Sequence, residues 1–358
     1  MKKVIFALAA VVALAACSKE QTVVMPEGNA IGFNTFVENS TRSVYDPSFT
    51  NDENKMFSDF AVFGYVEGAV LLDGVRVAKN GAGMEEDDYA GQTSTAWKYD
   101  GTQYWIAGAN YNFNAVAPFT GGWTKADGTD KDKTVLSFTN NGTTDLLYAT
   151  AAQEGKASGN LAVEFNFRHV LSKVKFSFEN AYNASNATIR VKDVKITDAY
   201  TSGVATLNAN TAWVPTANSN NLTLSFGNAA VASATAEEAF GNGTTVESYK
   251  ELLMIPGAGA TAFEIKNADN TTTPAKGYTI QFTVELLVSG QEVAEYPHTI
   301  YTTFAPVAGH SYDLKATINP ENIDPAHSQE AIQFTVTNIG NWGTDDNGEA
   351  EGDNNKTI

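Results

Sequence analysis

"LAVEFNFRHVLSKVKFSF" (Leu161–Phe178) decides the fold. Val163, Phe165 and Phe167 alternate with Glu164 and Asn166, and after Arg168 and His169 the same alternation resumes with Val174, Phe176 and Phe178 against Lys173, Lys175 and Ser177. A spacing of two places every apolar side chain on one face of an extended chain, whereas a helix would scatter the same residues around its circumference. Phe and Val are also favoured in strands on a half-buried surface. The stretch therefore predicts two strands flanking Arg168 and His169.

Working outward, the same period recurs in "IGFNTFV" (Ile31–Val37), "DFAVFGYV" (Asp59–Val66), "NYNFNAVAP" (Asn110–Pro118), "YTIQFTVELLV" (Tyr278–Val288), "SYDLKATI" (Ser311–Ile318) and "AIQFTVTNI" (Ala331–Ile339). Clusters of Gly, Asn, Asp and Thr separate them, which is turn chemistry. Many short strands joined this way predict an all-β protein of antiparallel β-sandwich domains. "VASATAEEAF" (Val231–Phe240) alone reads as a short helix. The length prior suggests two domains, with residues 31–168 as the first sandwich and 169–343 as the second. The end, "GTDDNGEAEGDNNKTI", is acidic and nearly free of apolar residues, so 344–358 is expected to be a mobile tail.

The chain begins with Met1-Lys2-Lys3 and an apolar run, Val4–Ala16, too short to span a bilayer. It ends in Leu14-Ala15-Ala16-Cys17, which has the form of a bacterial lipobox, and Cys17 is the single cysteine of the chain. A lone thiol forms no internal disulfide. Residues 1–16 thus read as a lipoprotein signal peptide, Cys17 as the lipidated mature terminus and 17–30 as a linker; the alternative is an ordinary signal peptide that happens to contain a cysteine. The formal net charge is −18, becoming −20 once Lys2 and Lys3 leave with the signal. Such a surface repels phosphate backbones, so no nucleic-acid partner is expected.

A search for catalytic and ligand motifs yields little. There is no G-x-S-x-G, H-E-x-x-H or P-loop. "GAGATA" (Gly257–Ala262) matches a dinucleotide fingerprint, yet Pro256 precedes it and Phe263–Lys266 continues as a strand, where a pyrophosphate site needs a helix N-terminus. His169, His298, His310 and His327 share no ligand spacing; His169 reads as a hydrogen-bonded residue at a domain junction rather than as a base. Asp127, Asp130 and Asp132, and the run Asp345–Glu351, supply hard oxygen ligands without the spacing of a calcium loop. The Asn-x-Thr/Ser triplet at Asn183 carries little weight in a bacterial protein. No catalytic residue, cofactor or metal is expected, and the protein is read as a non-enzyme.

Taken in order, the lipobox, "IGFNTFVENSTRS", "YWIAGANYNFNAVAP" (Tyr104–Pro118), "DLLYAT" (Asp145–Thr150), "FNFRHVLSKVKFSFEN" (Phe165–Asn180), "GHSYDLKATI" (Gly309–Ile318) and "IQFTVTNIGNW" (Ile332–Trp342) resemble the Mfa-like fimbrillins, subunits and adhesins of type V pili. The resemblance implies two transthyretin-like β-sandwich domains in tandem, export as a lipoprotein to the outer membrane surface, and assembly into a fimbrium with other fimbrial subunits. It further implies cleavage by a trypsin-like protease after an arginine beyond the first strand. Arg42, in the polar stretch "ENSTRSVYDPS", is the matching position. Loss of the strand bearing Ile31, Phe33 and Val37 would open an apolar groove for a strand from another subunit. Ala331–Ile339, with Ile332, Phe334 and Val336 in alternation, is the candidate donor; it reads equally well as the last strand of its own second domain, closed by Trp342. The resemblance leaves shaft, tip and anchor subunits open.

A second reading is a monomeric surface lipoprotein that binds a host protein or a host or dietary glycan through loops. Exposed Trp97, Trp105 or Trp123 would then stack on sugar rings, although packing under the sandwich suits their context better.

Overall fold

The computed structural model of the protein describes residues 29–37, 57–89, 92, 97–184, 186–208, 210–230, 238–248, 250–266, 272–327, 330–341 and 356–357. Cys17, Arg42, Trp342, Asp345–Glu351 and most of the expected helix at Val231–Phe240 lie outside these residues.

In chain order the strands are β1 (Phe33–Val37), β2 (Asp59–Val66), β3 (Ala69–Lys79), β4 (Trp97–Tyr99), β5 (Asn110–Ala117), β6 (Trp123–Lys125), β7 (Thr134–Thr139), β8 (Leu147–Glu154) and β9 (Val163–His169). They continue with β10 (Ser172–Asn180), β11 (Ala187–Ala199), β12 (Ser202–Leu207), β13 (Ala212–Pro215), β14 (Leu222–Ala230), β15 (Phe240–Gly241), β16 (Thr245–Ser248) and β17 (Leu252–Met254). The last six are β18 (Thr261–Lys266), β19 (Thr272–Val288), β20 (Gln291–Thr302), β21 (His310–Ile318), β22 (Phe334–Asn341) and β23 (Lys356–Thr357). Each of the alternating stretches read from the sequence is a strand. Among the described residues the only helical element is a single 3-10 turn, Glu86–Tyr89. Phe240, the last residue of the expected helix, instead pairs with Ile189, and the Gly257–Ala262 segment runs into β18 rather than a helix.

A seven-stranded sheet has the order β1-β9-β8-β5-β2-β3-β4. Its two end strands come back into contact, since the Phe33 ring of β1 lies 5.3 Å from the Tyr99 ring of β4. The sheet is therefore rolled around one core, formed by Ile31, Phe33, Phe60, Val62, Trp97, Tyr99, Phe113, Phe165 and Phe167 among others. Its turns have the expected chemistry: Glu67-Gly68 joins β2 to β3 with φ of 46° and 84°, the sense that matches strand twist in a two-residue hairpin.

The second sheet is twelve-stranded, with the path β18-β19-β11-β14-β16-β10-β21-β22-β23 and with β15, β17 and β20 attached to it. It folds on itself as a sandwich. Phe282 on β19 meets Phe178 on β10 at 5.2 Å and Phe334 on β22 at 5.9 Å, and Phe226 on β14 meets Phe176 on β10 at 4.7 Å. Two pairings, β1 with β9 and β10 with β21, are parallel. Alternation fixes which face of a strand is buried but not its direction, so these two pairs depart from the antiparallel expectation.

A separate four-stranded sheet has the order β13-β12-β7-β6. It pairs Thr134–Thr139 with Ser202–Leu207, so it draws strands from both sides of the expected boundary at 168/169. Phe63, Val116 and Tyr148, on the outer face of the first sheet, share a continuous core with Leu136 and Phe138 and with the second sheet. The expected cut at 168/169 falls one residue before the end of β9, and the next strand, β10, belongs to the other large sheet. Within the expected tail, Lys356–Thr357 pairs with β22.

The junction is fastened by the most family-like sequence pieces. The Gly309 amide donates to the Leu171 carbonyl (2.8 Å), the Ser172 hydroxyl to that of Val307 (2.6 Å) and the Trp213 indole to that of Val170 (2.8 Å). Gly309 has φ 74°, and a Cβ there would lie 3.0 Å from the His169 carbonyl oxygen. Gly309→Ala is accordingly expected to cost about 1–3 kcal/mol, from left-handed strain and the contact together. Urea unfolding measures it, and a loss within experimental error would contradict the tight turn.

Candidate functional site

The residue types around β1 explain why this strand is the centre of its core. Ile31 and Phe33 are 0% exposed. The Phe33 ring is surrounded by Tyr99 at 5.3 Å, Phe165 at 5.6 Å and Phe113 at 5.8 Å, contributed by three different strands. On one side β1 runs parallel to β9, Phe33 opposite Val163 through Val37 opposite Phe167.

Its N-terminal approach is held more tightly. The Ile31 amide donates to Gln103 (2.8 Å) and the Trp105 amide to Asn29 (3.0 Å), so 29–31 and 103–105 form a short antiparallel bridge. The Asn29 side-chain amide donates to the Trp105 carbonyl (2.9 Å), and its carbonyl oxygen accepts from the Asn160 amide (2.6 Å). The Tyr99 hydroxyl donates to the Ile31 carbonyl (3.0 Å) and accepts from the Gln103 amide (3.0 Å). Burial raises the Tyr99 phenol far above its ordinary range, so it stays a donor at any physiological pH. Hydrogen bonds thus gather at the Asn29 end and apolar contacts at Phe33.

Of the first-strand residues named from sequence, Ile31 and Phe33 lie in this cradle and Val37 pairs opposite Phe167. Cys17, upstream, and Arg42, just past the end of β1, lie outside the described residues. Tyr99, Asn29 and Asn160 went unnoticed in the sequence. "WKYD" is too short to show a period, and no local signal says that Asn160 reaches back across the chain to Asn29.

The C-terminal residues take the other position. Ile332 and Phe334 are 3% and 2% exposed in the core of the second sheet, and Val336 packs against it. The Phe334 ring meets Phe176 at 5.5 Å and Phe178 at 6.0 Å. β22 pairs with β21 of the same chain, Val336 opposite Leu314. In this state Ile332, Phe334 and Val336 are the last core strand of their own chain.

Other nominated side chains are accounted for by packing. Trp97 and Trp105 are 7% and 4% exposed within the first core, packed as their sequence context suggested and not free to stack on sugars as the second reading required. Trp123 is half-buried, donates its indole N–H to Pro118 (2.9 Å) and faces Phe63. The four histidines are dispersed: His169 is buried against Asp145 (Nδ1 to Oδ2, 2.5 Å), and His298 is stacked on Phe282 with Nε2 on the Ile323 carbonyl (3.1 Å). Burial lowers the His298 pKa, keeping that ring neutral. His327 pairs with Asp324 at the surface, and His310 sits beside Asn338.

The Asp130 carboxylate accepts from the amides of Asp132 and Lys133, shaping its own turn. Among the described residues the carboxylates that gather within 4.8 Å are instead Glu285, Glu292 and Glu295. Glu285 is already engaged by Arg190 (2.6 Å) and Lys192, and this lowers its pKa despite burial. No described helix is long and apolar enough to cross a membrane.

No curated protein matches the chain. A fimbrial protein from Bacteroides vulgatus shares 14% identity with it, over 88% of this chain and 100% of the other, at a TM-score of 0.55. The fimbrial anchor protein Mfa2 from Porphyromonas gingivalis is 11% identical over 87% and 100% of the two chains, at a TM-score of 0.34. The first likeness supports the β-sandwich fold. The profile of the fimbrillin-like family covers residues 41–342, nearly all of the chain that follows β1, and the chain belongs to that family.

Proposed function

We propose that the protein is a non-enzymatic subunit of a fimbrium or an associated adhesin, built as two β-sandwich units that meet near Arg168 and His169 and are bridged by the small sheet. It is exported as a lipoprotein on Cys17 and held at the outer membrane surface. Cleavage after Arg42 then frees β1, and a strand of another subunit takes its place. The burial of Ile31 and Phe33 at the centre of a rolled sheet carries this reading.

Magnitudes favour exchange over simple loss. Burying a large apolar side chain contributes about 1.5–3 kcal/mol, so vacating both positions costs roughly 3–6 kcal/mol. That is comparable to the whole stability of many domains, about 5–15 kcal/mol. A cleaved N-terminal piece therefore stays in its cradle until an equivalent strand replaces it.

Ala331–Ile339 is the candidate donor. Ile332-Gln333-Phe334 repeats the pattern Ile31-Gly32-Phe33, and each pair fills an aromatic core. Donation requires β22 to leave β21 first, so a donor becomes available only from a subunit whose C-terminal strand has opened. The alternative of a monomeric lipoprotein that binds glycan or protein has lost two of its tryptophans to the core.

The clamp on Asn29 gives the reading a graded test. With trypsin-cleaved protein, release of the N-terminal fragment ending at Arg42 is followed by size-exclusion chromatography and mass spectrometry. Asn160→Ala removes one bond to Asn29 and is expected to speed release about 5–10-fold, equivalent to about 1 kcal/mol. An unchanged rate would show that the fragment does not exit through its Asn29 contacts.

A further inference from the structure

The outer face of the second sheet carries a polar row that strand exchange does not use. Ser225 on β14 lies opposite Lys195 on β11, Lys195 opposite Gln281 on β19, and Gln281 opposite Thr299 on β20. The four side chains run in line across the sheet, one strand spacing (about 4.8 Å) apart. Their neighbours Leu224, Phe226, Ile196, Ile280 and Phe282 point into the core, so the row points to solvent. β11 shifts register between Lys192 and Lys195, with Asp193 at φ 55°, and such a bulge bends the strand. The result is a groove of about 480 Å³ lined by Lys195, Ser225, Gln281, Thr283, Pro297 and Thr299. Asp193 and His298 also line it; His298 is bonded to the Ile323 carbonyl, whereas the side chains of Lys195, Ser225, Gln281, Thr283 and Thr299 bond to no other described residue.

An aromatic surface adjoins the row. Tyr301 follows Thr299 by two residues, hence on the same face of β20, and is 49% exposed. Its ring stacks on Phe263 at 5.6 Å and 19°. The pair is held in place at Gly277, where a Cβ would come within 1.7 Å of the Thr302 carbonyl oxygen and 2.9 Å of the Phe263 ring. Only glycine lets β18 and β20 converge there.

We propose that this groove binds a neutral oligosaccharide, with the C–H face of a sugar ring on the Tyr301–Phe263 surface and its hydroxyls on the row from Thr299 to Ser225. The Lys195 ammonium donates, and the Gln281 amide and the Ser and Thr hydroxyls both donate and accept, which suits a polyol. The volume lies within the range of small-ligand sites, about 300–1,000 Å³. An anion is disfavoured by the −18 net charge. A peptide strand would add along a free backbone edge such as that of β20, which among the described residues pairs only with β19; the row instead runs across four strands, at right angles to such an edge, and β11 and β19 at its centre are paired on both sides. The site specifies the adhesive part of the proposed function and is independent of strand exchange.

Saturation-transfer NMR on the uncleaved chain starting at Ser18 tests it, with maltotriose, cellotriose, xylotriose, mannotriose and triacetylchitotriose as probes. At least one is expected to bind, with saturation strongest on ring C–H protons. Gln281→Ala and Thr299→Lys, both on the outer face, are each expected to weaken that binding about tenfold or more while leaving the melting temperature unchanged; Tyr301→Ala should abolish it. No binding by any probe at millimolar concentration, or binding unaltered in Gln281→Ala and Thr299→Lys, would overturn the proposal. Because neither cleavage nor assembly enters the experiment, its failure leaves the strand-exchange reading untouched.

Discussion

Phe33→Ala is expected to destabilise the protein by about 3–5 kcal/mol, the range for truncating a fully buried phenylalanine. The site has little room to collapse, because Phe33 touches Tyr99, Phe113 and Phe165 from three strands of one rolled sheet. Closing the vacancy would mean moving rings that are themselves held by others, Phe113 by Trp105 and Tyr111 and Phe165 by Phe60 and Phe167. Chemical denaturation with tyrosine and tryptophan fluorescence reads the effect in the intact chain. Thr35→Ala, on a half-buried position of the same strand, is the control and should change stability by no more than about 0.5 kcal/mol. In cleaved protein the same Phe33→Ala substitution should accelerate fragment release by about two to three and a half orders of magnitude, since each 1.4 kcal/mol is tenfold. A loss below about 1 kcal/mol would mean that β1 is not the centre of its core.

Ending the chain at Glu330 is the second large perturbation. It removes Ile332, Phe334 and Val336 together and uncovers Phe176, Phe178 and Phe282 along with the backbone edge of β21. Loss of Phe334 alone is expected to cost about 3–5 kcal/mol, and the whole strand more, which approaches the total stability of a domain. The expected outcome is a chain that binds a hydrophobic dye and loses near-ultraviolet dichroism. A synthetic peptide of residues 331–339 should restore both signals by adding back the strand. If the shortened chain instead melts like the parent, β22 contributes nothing to its own sandwich, and its packing against Phe176 and Phe282 is not what holds it.

These two strands also show what a sequence reveals and what it hides. Alternation in Phe165–Phe178 is a local property, so strand identity and the buried face were legible, as were β2 and β5 almost to the residue. Pairing is not local. The parallel partnership of β1 with β9, separated by more than a hundred residues, leaves no mark in either segment, and neither does the recruitment of Ser202–Leu207 to pair with Thr134–Thr139. For the same reason Ile332-Gln333-Phe334 reads identically as a core strand and as a donor; the aromatic partners that distinguish them come from β10 and β19. The tryptophans were legible in part, because Trp105 beside a turn and strand suggested packing. The clamp from Asn160 to Asn29 was not legible at all, since a single asparagine in a polar loop carries no period.

The polar row from Ser225 to Thr299 follows the same logic. Each member is an unremarkable outward residue of its own strand, and only cross-strand register sets the four in line beside Tyr301. The ion cluster around Glu285 is likewise assembled from β11 and β19, and its buried carboxylate is held ionised by Arg190 and Lys192.

The most direct measurement is limited trypsin digestion of the chain starting at Ser18, with N-terminal sequencing and an unboiled gel of the product. The account predicts a new terminus at Ser43, an N-terminal fragment ending at Arg42 that remains bound until exchange, and a heat-labile ladder that is absent when Arg42→Gln blocks cleavage. Resistance at Arg42 together with a stable monomer would contradict it.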